Sequence, residues 1–312
     1  MFDLENNLNA MNTSSKSNKL LGFIVSNLLV LVIIGVNRLL HVEKNGVMVY
    51  SQFVILPILI GIISAWFWRD LHLKTKTIIG YSLINSLLAI ALSYIFLGEG
   101  VICLIIVSPL ILVFVITGAF IGKMMFRKKN QTINVSIVSL LLMVFVVDSI
   151  SDHQYENMVS DEIVINAPPS KIWKNVVAFD KIKQPNKYWL FKIGMPSPMQ
   201  TTVTGYKYGA GRKCIFSNGY TFDEKIVAFD VNKNLTFDIV GQPQDPEIMG
   251  HIDINRGQFL LKDNGNGTTT LIGNSWYNLR VFPIWYYDVW AESITRNVHL
   301  RVMDHIKKLS EQ

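Results

Sequence analysis

Two cysteines in 312 residues, Cys103 and Cys214, are too few for a disulfide framework, and no Cys/His spacing suited to zinc accompanies them. Charge is scarce too. Only 17% of residues are charged against 50% hydrophobic, too apolar a balance for one water-soluble domain. The long apolar runs of the first half carry almost no ionisable side chain, which argues against a proton or ion pathway through them. Phosphate-cradling loops are missing as well: Gly209-Ala-Gly211 and Gly265-Asn-Gly267 are short and lie between strand-like segments, so they read as hairpin turns. The i,i+4 histidine pair of a zincin is absent. A net charge of +6 is modest, and its basic residues gather beside apolar runs, where membrane topology accounts for them, so no nucleic acid partner is indicated.

What is present changes character near Asp148. Before it, five apolar runs are long enough, or nearly so, for the roughly 20 residues that a spanning helix needs. They are Leu20–Leu40, Val47–Trp68, Thr77–Leu97, Val101–Gly122 and the shorter Thr132–Val147, within a membrane region of residues 1–150. The first is long for a signal peptide and lacks a small-x-small site after it, so it reads as an uncleaved anchor. Pro57 and Pro109 imply kinks, and Asn27, Asn85 and Ser86 imply hydrogen bonds between helices. With five crossings, Lys16, Lys19, Arg69, Lys74, Lys76, Lys123, Arg127, Lys128 and Lys129 fall on one side. The opposite side has Arg38 and Lys44 and an acidic exit at Asp148, Asp152 and Glu156. The expected location is therefore a bacterial plasma (inner) membrane, with a cytoplasmic N-terminus and an extracytoplasmic C-terminal half. That orientation depends on the fifth run crossing.

The second half alternates. Asp161–Asn166 places Ile163 and Ile165 on one strand face. Two prolines follow, then Ile172, Trp173, Val176 and Val177 at helical spacing. Strand-like segments run over Thr201–Tyr206, Arg212–Ser217, Thr221–Asp230, Leu235–Val240, Gly257–Lys262 and Thr268–Tyr277, separated by Gly- and Asn-rich turns. A long helix begins after Pro283, with Ala291, Ile294, Val298, Val302, Ile306 and Leu309 in one apolar stripe. Such an order predicts an antiparallel sheet covered by the final helix.

The segment Glu162-Ile-Val-Ile-Asn-Ala-Pro-Pro-Ser-Lys-Ile-Trp173 resembles the opening strand and helix of the START-like superfamily, also called SRPBCC. That superfamily includes the polyketide cyclase/dehydrase and lipid-transport families. The resemblance covers about residues 160–312; Gly211–Gly219, Trp276-Tyr277 and His299–Lys307 are similar to a membrane-anchored bacterial subgroup. It implies an α+β helix-grip fold, a curved antiparallel sheet around the C-terminal helix with a hydrophobic ligand cavity between. It implies no single reaction. The membrane half resembles no family we recognise.

Ten residues stand out as candidate ligand contacts. Trp276, Tyr277, Tyr287 and Trp290, with Trp285 and Tyr286, suit an aromatic cavity mouth or, equally, core packing and a membrane-facing belt. Arg212, Cys214 and Phe216 share a strand face; Arg212 suits an anionic head group or a structural pair with Glu224. Cys214 has no identifiable base beside it and reads as an inert thiol. His299 and His305 differ in direction around the final helix, so one metal cannot easily take both. No metal, cofactor or catalytic set is assigned. The leading expectation is a membrane-anchored domain binding a hydrophobic or amphipathic small molecule or lipid. A cyclase or hydrolase would instead need Glu224, His299 or His305 facing the cavity. A structural or sensory module would bind a protein partner.

Overall fold

The computed structural model describes residues 2–40, 54–98, 100–127, 155–244 and 251–312, together with positions 139, 143 and 247. The chain forms two compact units, Met1–His153 and Gln154–Gln312.

The first unit is helical. Helix α1 is Phe2–Leu40, α2 is Leu56–Trp68, α3 is Thr75–Leu92 and α4 is Val101–Arg127. Three helical stretches are long and apolar enough to cross a membrane: Lys16–Gly35, Thr75–Phe96 and Val101–Phe126. The expectation of five spans is thus reduced to three among the described residues. Helix α2 has 13 residues. Residues 47–53 of the expected second span lie outside the described residues, as does the expected fifth, Thr132–Val147, apart from two isolated positions.

The surface of this bundle is apolar and its interior holds polar groups. Leu20, Ile24, Leu28 and Val32 recur every four residues along the exposed side of α1. Inside, Asn27 Nδ2 donates to Asn85 Oδ1 at 2.6 Å, and Asn85 Nδ2 donates to Ser64 Oγ at 2.8 Å. Ser64 Oγ lies 3.1 Å from Gly22 O and from Ser26 Oγ. Three helices are joined by these bonds. The expected role of Asn27 and Asn85 is met; Ser86 bonds within its own helix, to Ser82 O at 2.9 Å. Small residues do the rest. A Cβ on Gly118 of α4 would lie 2.1 Å from Ile58 O, and one on Gly61 of α2 2.2 Å from Val115 O. Backbones can meet this closely only at glycine.

In the second unit seven strands form one antiparallel sheet: β1 (Tyr155–Ile165), β2 (Pro198–Val203), β3 (Gly211–Phe216), β4 (Thr221–Asp230), β5 (Asn234–Gly241), β6 (Ile252–Asp263) and β7 (Thr269–Leu279). Their order is β1-β7-β6-β5-β4-β3-β2, so the first strand pairs with the last. Helix α5 (Pro169–Val177) and the single turn α6 (Trp189–Lys192) lie between β1 and β2, and α7 (Ile284–Glu311) closes the chain. Helix α7 packs against β1, β7, β2 and α5. This is a helix-grip arrangement, built from one inner sheet face and one helical stripe.

The core sits at one end of that grip. Ile165, Leu271, Leu261, Ile226 and Leu235 from the sheet meet Ile172 and Val176 of α5 and Val302, Met303 and Ile306 of α7. Burying such a side chain contributes about 1.5–3 kcal/mol. Three strand boundaries differ from the sequence pattern. Strand β1 begins at Tyr155 rather than Asp161. Strand β2 runs from Pro198, a residue an edge strand tolerates, and ends before Tyr206. Strand β6 begins at Ile252 rather than Gly257, because a bulge between Ile254 and Arg256 breaks the period of two.

Replacing Gly118 with Val should lower the unfolding temperature of the detergent-solubilised chain, at a cost of about 1–3 kcal/mol for overpacking. Gly80→Ala on α3, where an added Cβ meets nothing within 4 Å, should not. Circular dichroism on heating would check both.

Candidate functional site

The inner face of the sheet is not uniformly apolar. Alternation along β3 and β4 turns Arg212 and Glu224 inward, directly opposite each other in register. Both are buried, at 3% and 5% exposure. Arg212 Nη1 donates to Glu224 Oε2, and Nε donates to Val177 O at 3.1 Å. The guanidinium also lies 4.3 Å from the centre of the Phe237 ring. That ring fills the space a Cβ on Gly257 would need, 2.4 Å away. Burial pushes the Glu224 carboxyl up, and the charge and hydrogen bond of Arg212 pull it back down. Arg212 is thus engaged on three sides by the protein.

Cys214 follows on the same face. Burial, then Glu224, raise its thiol to about 12, with Arg212 opposing. It is protonated at neutral pH and is neither nucleophile nor metal ligand in that state. Phe216, two residues further, stacks at 5.2 Å on Phe222.

The other side of the grip holds a longer chain of polar contacts. His299 on α7 meets Asp161 of β1, with Nδ1 2.9 Å from Oδ2. Its Nε2 lies 2.7 Å from Ser275 Oγ on β7. Arg296 Nη1 donates to the second Asp161 oxygen at 2.7 Å. A carboxylate cannot donate, so the proton of neutral His299 sits on Nδ1 and Nε2 accepts from the serine hydroxyl. Burial lowers the pKa of this imidazole; the Asp161 bond and charge act the other way, and Arg296 adds to the lowering. The Asp161–His299 bond is buried, whereas the His299–Ser275 bond is only partly so.

Two residues beyond Ser275 on the same strand face, Tyr277 is fully buried and donates to Asp288 Oδ1 at 2.8 Å. Asn157 Nδ2 reaches both, at 3.2 Å from the phenol oxygen and 2.8 Å from the carboxylate. Burial and then Asp288 raise the Tyr277 pKa.

Of the aromatic residues singled out from sequence, Trp285, Tyr286, Tyr287 and Trp290 form one run of ring contacts on α7, with Tyr286 5.9 Å from Trp285 and 5.4 Å from Tyr287. Trp276 lies on the outer sheet face, between Met158 and Arg256, while its neighbour Tyr277 points inward. Tyr287 is buried. Trp290 extends this run to α6: it lies 6.4 Å from Tyr286 and 6.3 Å from Trp189. Trp285 is 70% exposed. His305 is separate again. Its Nε2 lies 3.0 Å from Asp180 O, and with Ile182, Tyr188, Phe191 and Arg301 it lines a cavity of about 160 Å³ between α7 and the segment before β2.

Coverage of the inner face is uneven. Leu271, Leu261, Ile226 and Leu235 are buried toward one end and Val159, Tyr277 and Leu279 toward the other, while Cys214, Phe216, Phe222, Ile239, Ile254 and Ser275 are only half-buried among them. Asp161 and Ser275 escaped the sequence reading, although both were within its reach. Asp161 has the parity of Ile163 and Ile165, and Ser275 has that of Tyr277 and Leu271, so alternation already put both on the inner face. Among the described residues no three His, Cys, Asp or Glu side chains converge on a metal position.

No family model matches the chain, and no curated protein matches it. Solved structures do. Norcoclaurine synthase from Thalictrum flavum is 12% identical over 51% of this chain and 96% of its own, with a TM-score of 0.35. Protein MLL2253 from Mesorhizobium loti is 18% identical over 49% and 96%, with a TM-score of 0.32. Ara h 8.0201 is 15% identical over 50% and 98%, also at 0.32.

Two predictions concern the buried charges. Arg212→Met strands the Glu224 carboxyl and should cost about 3–5 kcal/mol; adding Glu224→Leu should recover much of the loss. Chemical denaturation followed by tryptophan fluorescence reads both. His299 and His305 have lowered pKa values in the folded chain. Below pH 6.5 the unfolded chain binds protons that these imidazoles refuse, so stability falls as pH drops toward their folded pKa values. His299→Gln should make the fall in unfolding temperature between pH 7 and pH 5 shallower.

Proposed function

We propose that the C-terminal unit binds a hydrophobic or amphipathic small molecule, such as a lipid, between its sheet and α7, and that the apolar helices of the first unit hold it at a membrane. The observation that supports this is the uneven inner face. A grip made only for stability would be packed along its length, as it is around Leu271 and Met303. Among the packed residues, the half-buried Phe216, Phe222, Ile239 and Ile254 offer apolar surface, and the half-buried Ser275 offers a hydroxyl. Apolar walls with a few fixed polar groups are what a small-molecule site requires. Arg212 serves this site from behind, fixing β3 to β4 and to Val177, rather than as a free clamp for a head group.

The basic loops support one side of the membrane. Lys74 and Lys76 precede or open α3, and Lys123 and Arg127 end α4, on the side where cytoplasmic positive charge is expected. With Thr132–Val147 as a further crossing, the second unit lies outside the cytoplasm of a bacterial cell, and the ligand is an envelope or environmental molecule.

Titration of the full chain in nanodiscs with an environment-sensitive fluorescent fatty acid should show saturable binding. Ile239→Trp, which enlarges a half-buried side chain of the inner face, should weaken it at least about tenfold. Unchanged affinity in that variant would place the ligand elsewhere. For orientation, Lys308→Cys in a background lacking the native cysteines should react with a membrane-impermeant maleimide in intact cells, and Lys76→Cys only after permeabilisation.

A further inference from the structure

Ser275, His299 and Asp161 stand in the order and at the spacing of a nucleophile, its base and the carboxylate that orients the base. The serine oxygen is 2.7 Å from Nε2, and Nδ1 is 2.9 Å from the carboxylate. Nucleophilic catalysis by a hydroxyl needs these two contacts, on whatever fold they occur. We propose that the three residues form an acyl-transfer centre that acts on a carboxylic ester held between the sheet and α7. The inference rests on that space being a ligand site.

Three features favour chemistry over a structural tie. Asp161, His299 and Arg296 by themselves join β1 to α7. Ser275 adds nothing to that link, since it sits on β7, which the sheet already holds to β1. Burial is graded in the useful direction: the carboxylate end is closed, and the serine end is among the inner-face residues left partly uncovered. Finally, Arg296 occupies one Asp161 oxygen and Glu292 lies beside Arg296, which leaves the other oxygen for His299 alone among the described residues.

The steps balance without a cofactor. Ser275 Oγ bonds to the ester carbon while its proton passes to His299 Nε2. The carbon–alkoxy bond then breaks, and the alcohol leaves with that proton. Water attacks the acyl-serine, gives a proton to His299, and releases the acid and the serine; ester and water become acid and alcohol. Ser275 is paired on both sides, with Val159 and Gly257, so the strand amides around it are committed to the ladders. An oxyanion here lacks the usual pair of backbone donors, whose loss costs about 10²–10³ each in rate. Turnover is expected to be slow, and covalent capture is the sensitive readout.

The full chain in nanodiscs is treated with an alkyl fluorophosphonate, which forms an Oγ–phosphorus bond, expels fluoride and passes the hydroxyl proton to His299. Mass spectrometry should find one adduct, on the peptide carrying Ser275, absent in Ser275→Ala. His299→Gln and Asp161→Asn should slow its formation by about 10²-fold or more. The rate should rise with pH to a plateau with a midpoint below 6.5, set by His299 with Asp161 and Arg296 facing it. Ser275→Ala is the variant least able to disturb folding, and its unfolding temperature is measured beside the labelling. Fluorescent fatty acid binding is measured on the same preparation. Binding without an adduct, an adduct on another residue, or a pH-independent rate overturns the acyl-transfer centre and leaves ligand binding intact. Neither binding nor adduct overturns both.

Discussion

Folding takes two carboxylates, Asp161 and Glu224, out of water, and the second unit is arranged around that constraint. A buried carboxylate without partners costs several kcal/mol, so each has recruited a cation and further contacts. Glu224 takes Arg212, which takes Val177 O and the face of Phe237. Asp161 takes Arg296 and His299, and through His299 reaches Ser275. One group ties β3 to β4 and to the end of α5; the other ties β1 to α7. The reactive geometry at Ser275 grows out of the second, so the strongest chemical feature of the unit and one of its main fastenings share the same atoms.

The first unit solves the opposite problem. Its outside is apolar, and its interior supplies the cohesion. It comes from polar contacts among Asn27, Asn85 and Ser64 and from backbone proximity at Gly61 and Gly118. Both units therefore place their polar side chains inside. In the bundle these side chains hold helices together. In the grip they also balance charge.

The sequence carried the architecture of the second unit well, because period-two alternation and the turn residues between strands are local signals. Helix α5 was legible from Ile172, Trp173, Val176 and Val177, all of which are buried. Boundaries were less legible: the bulge after Ile254 shifts the alternation of β6, and a shifted period looks like the end of a strand. The pair Arg212–Glu224 was visible as a possibility, since hairpin neighbours of matching parity fall opposite each other. The group at Asp161, Ser275 and His299 was not, although each residue's face was. Asp161 and His299 are 138 positions apart, and only the pairing of β1 with β7 under α7 brings them together. Among the aromatic residues, Trp285, Tyr286, Tyr287 and Trp290 do meet on α7, and the strand pair is the exception. Trp276 and Tyr277 are adjacent in the chain and so on opposite faces of the sheet. Of the membrane runs, three have the length that composition suggested, and the fifth lies outside the described residues.

The pairing of β1 with β7 has a consequence for how the chain is made. Ile165 finds its partner in Thr269 and Tyr155 finds its partner in Leu279, so a strand synthesised first in its unit waits for one synthesised near the end. Until then β1 has an open edge on both sides, and the carboxylate of Asp161 has neither Arg296 nor His299. Long-range pairing of this kind slows folding and leaves strand edges exposed meanwhile. The polar residues Glu156, Ser160 and Glu162 along β1 keep that waiting strand soluble. A ribosome that stalled before α7 would leave an unlatched sheet, and the 28 residues of Ile284–Glu311 complete the unit.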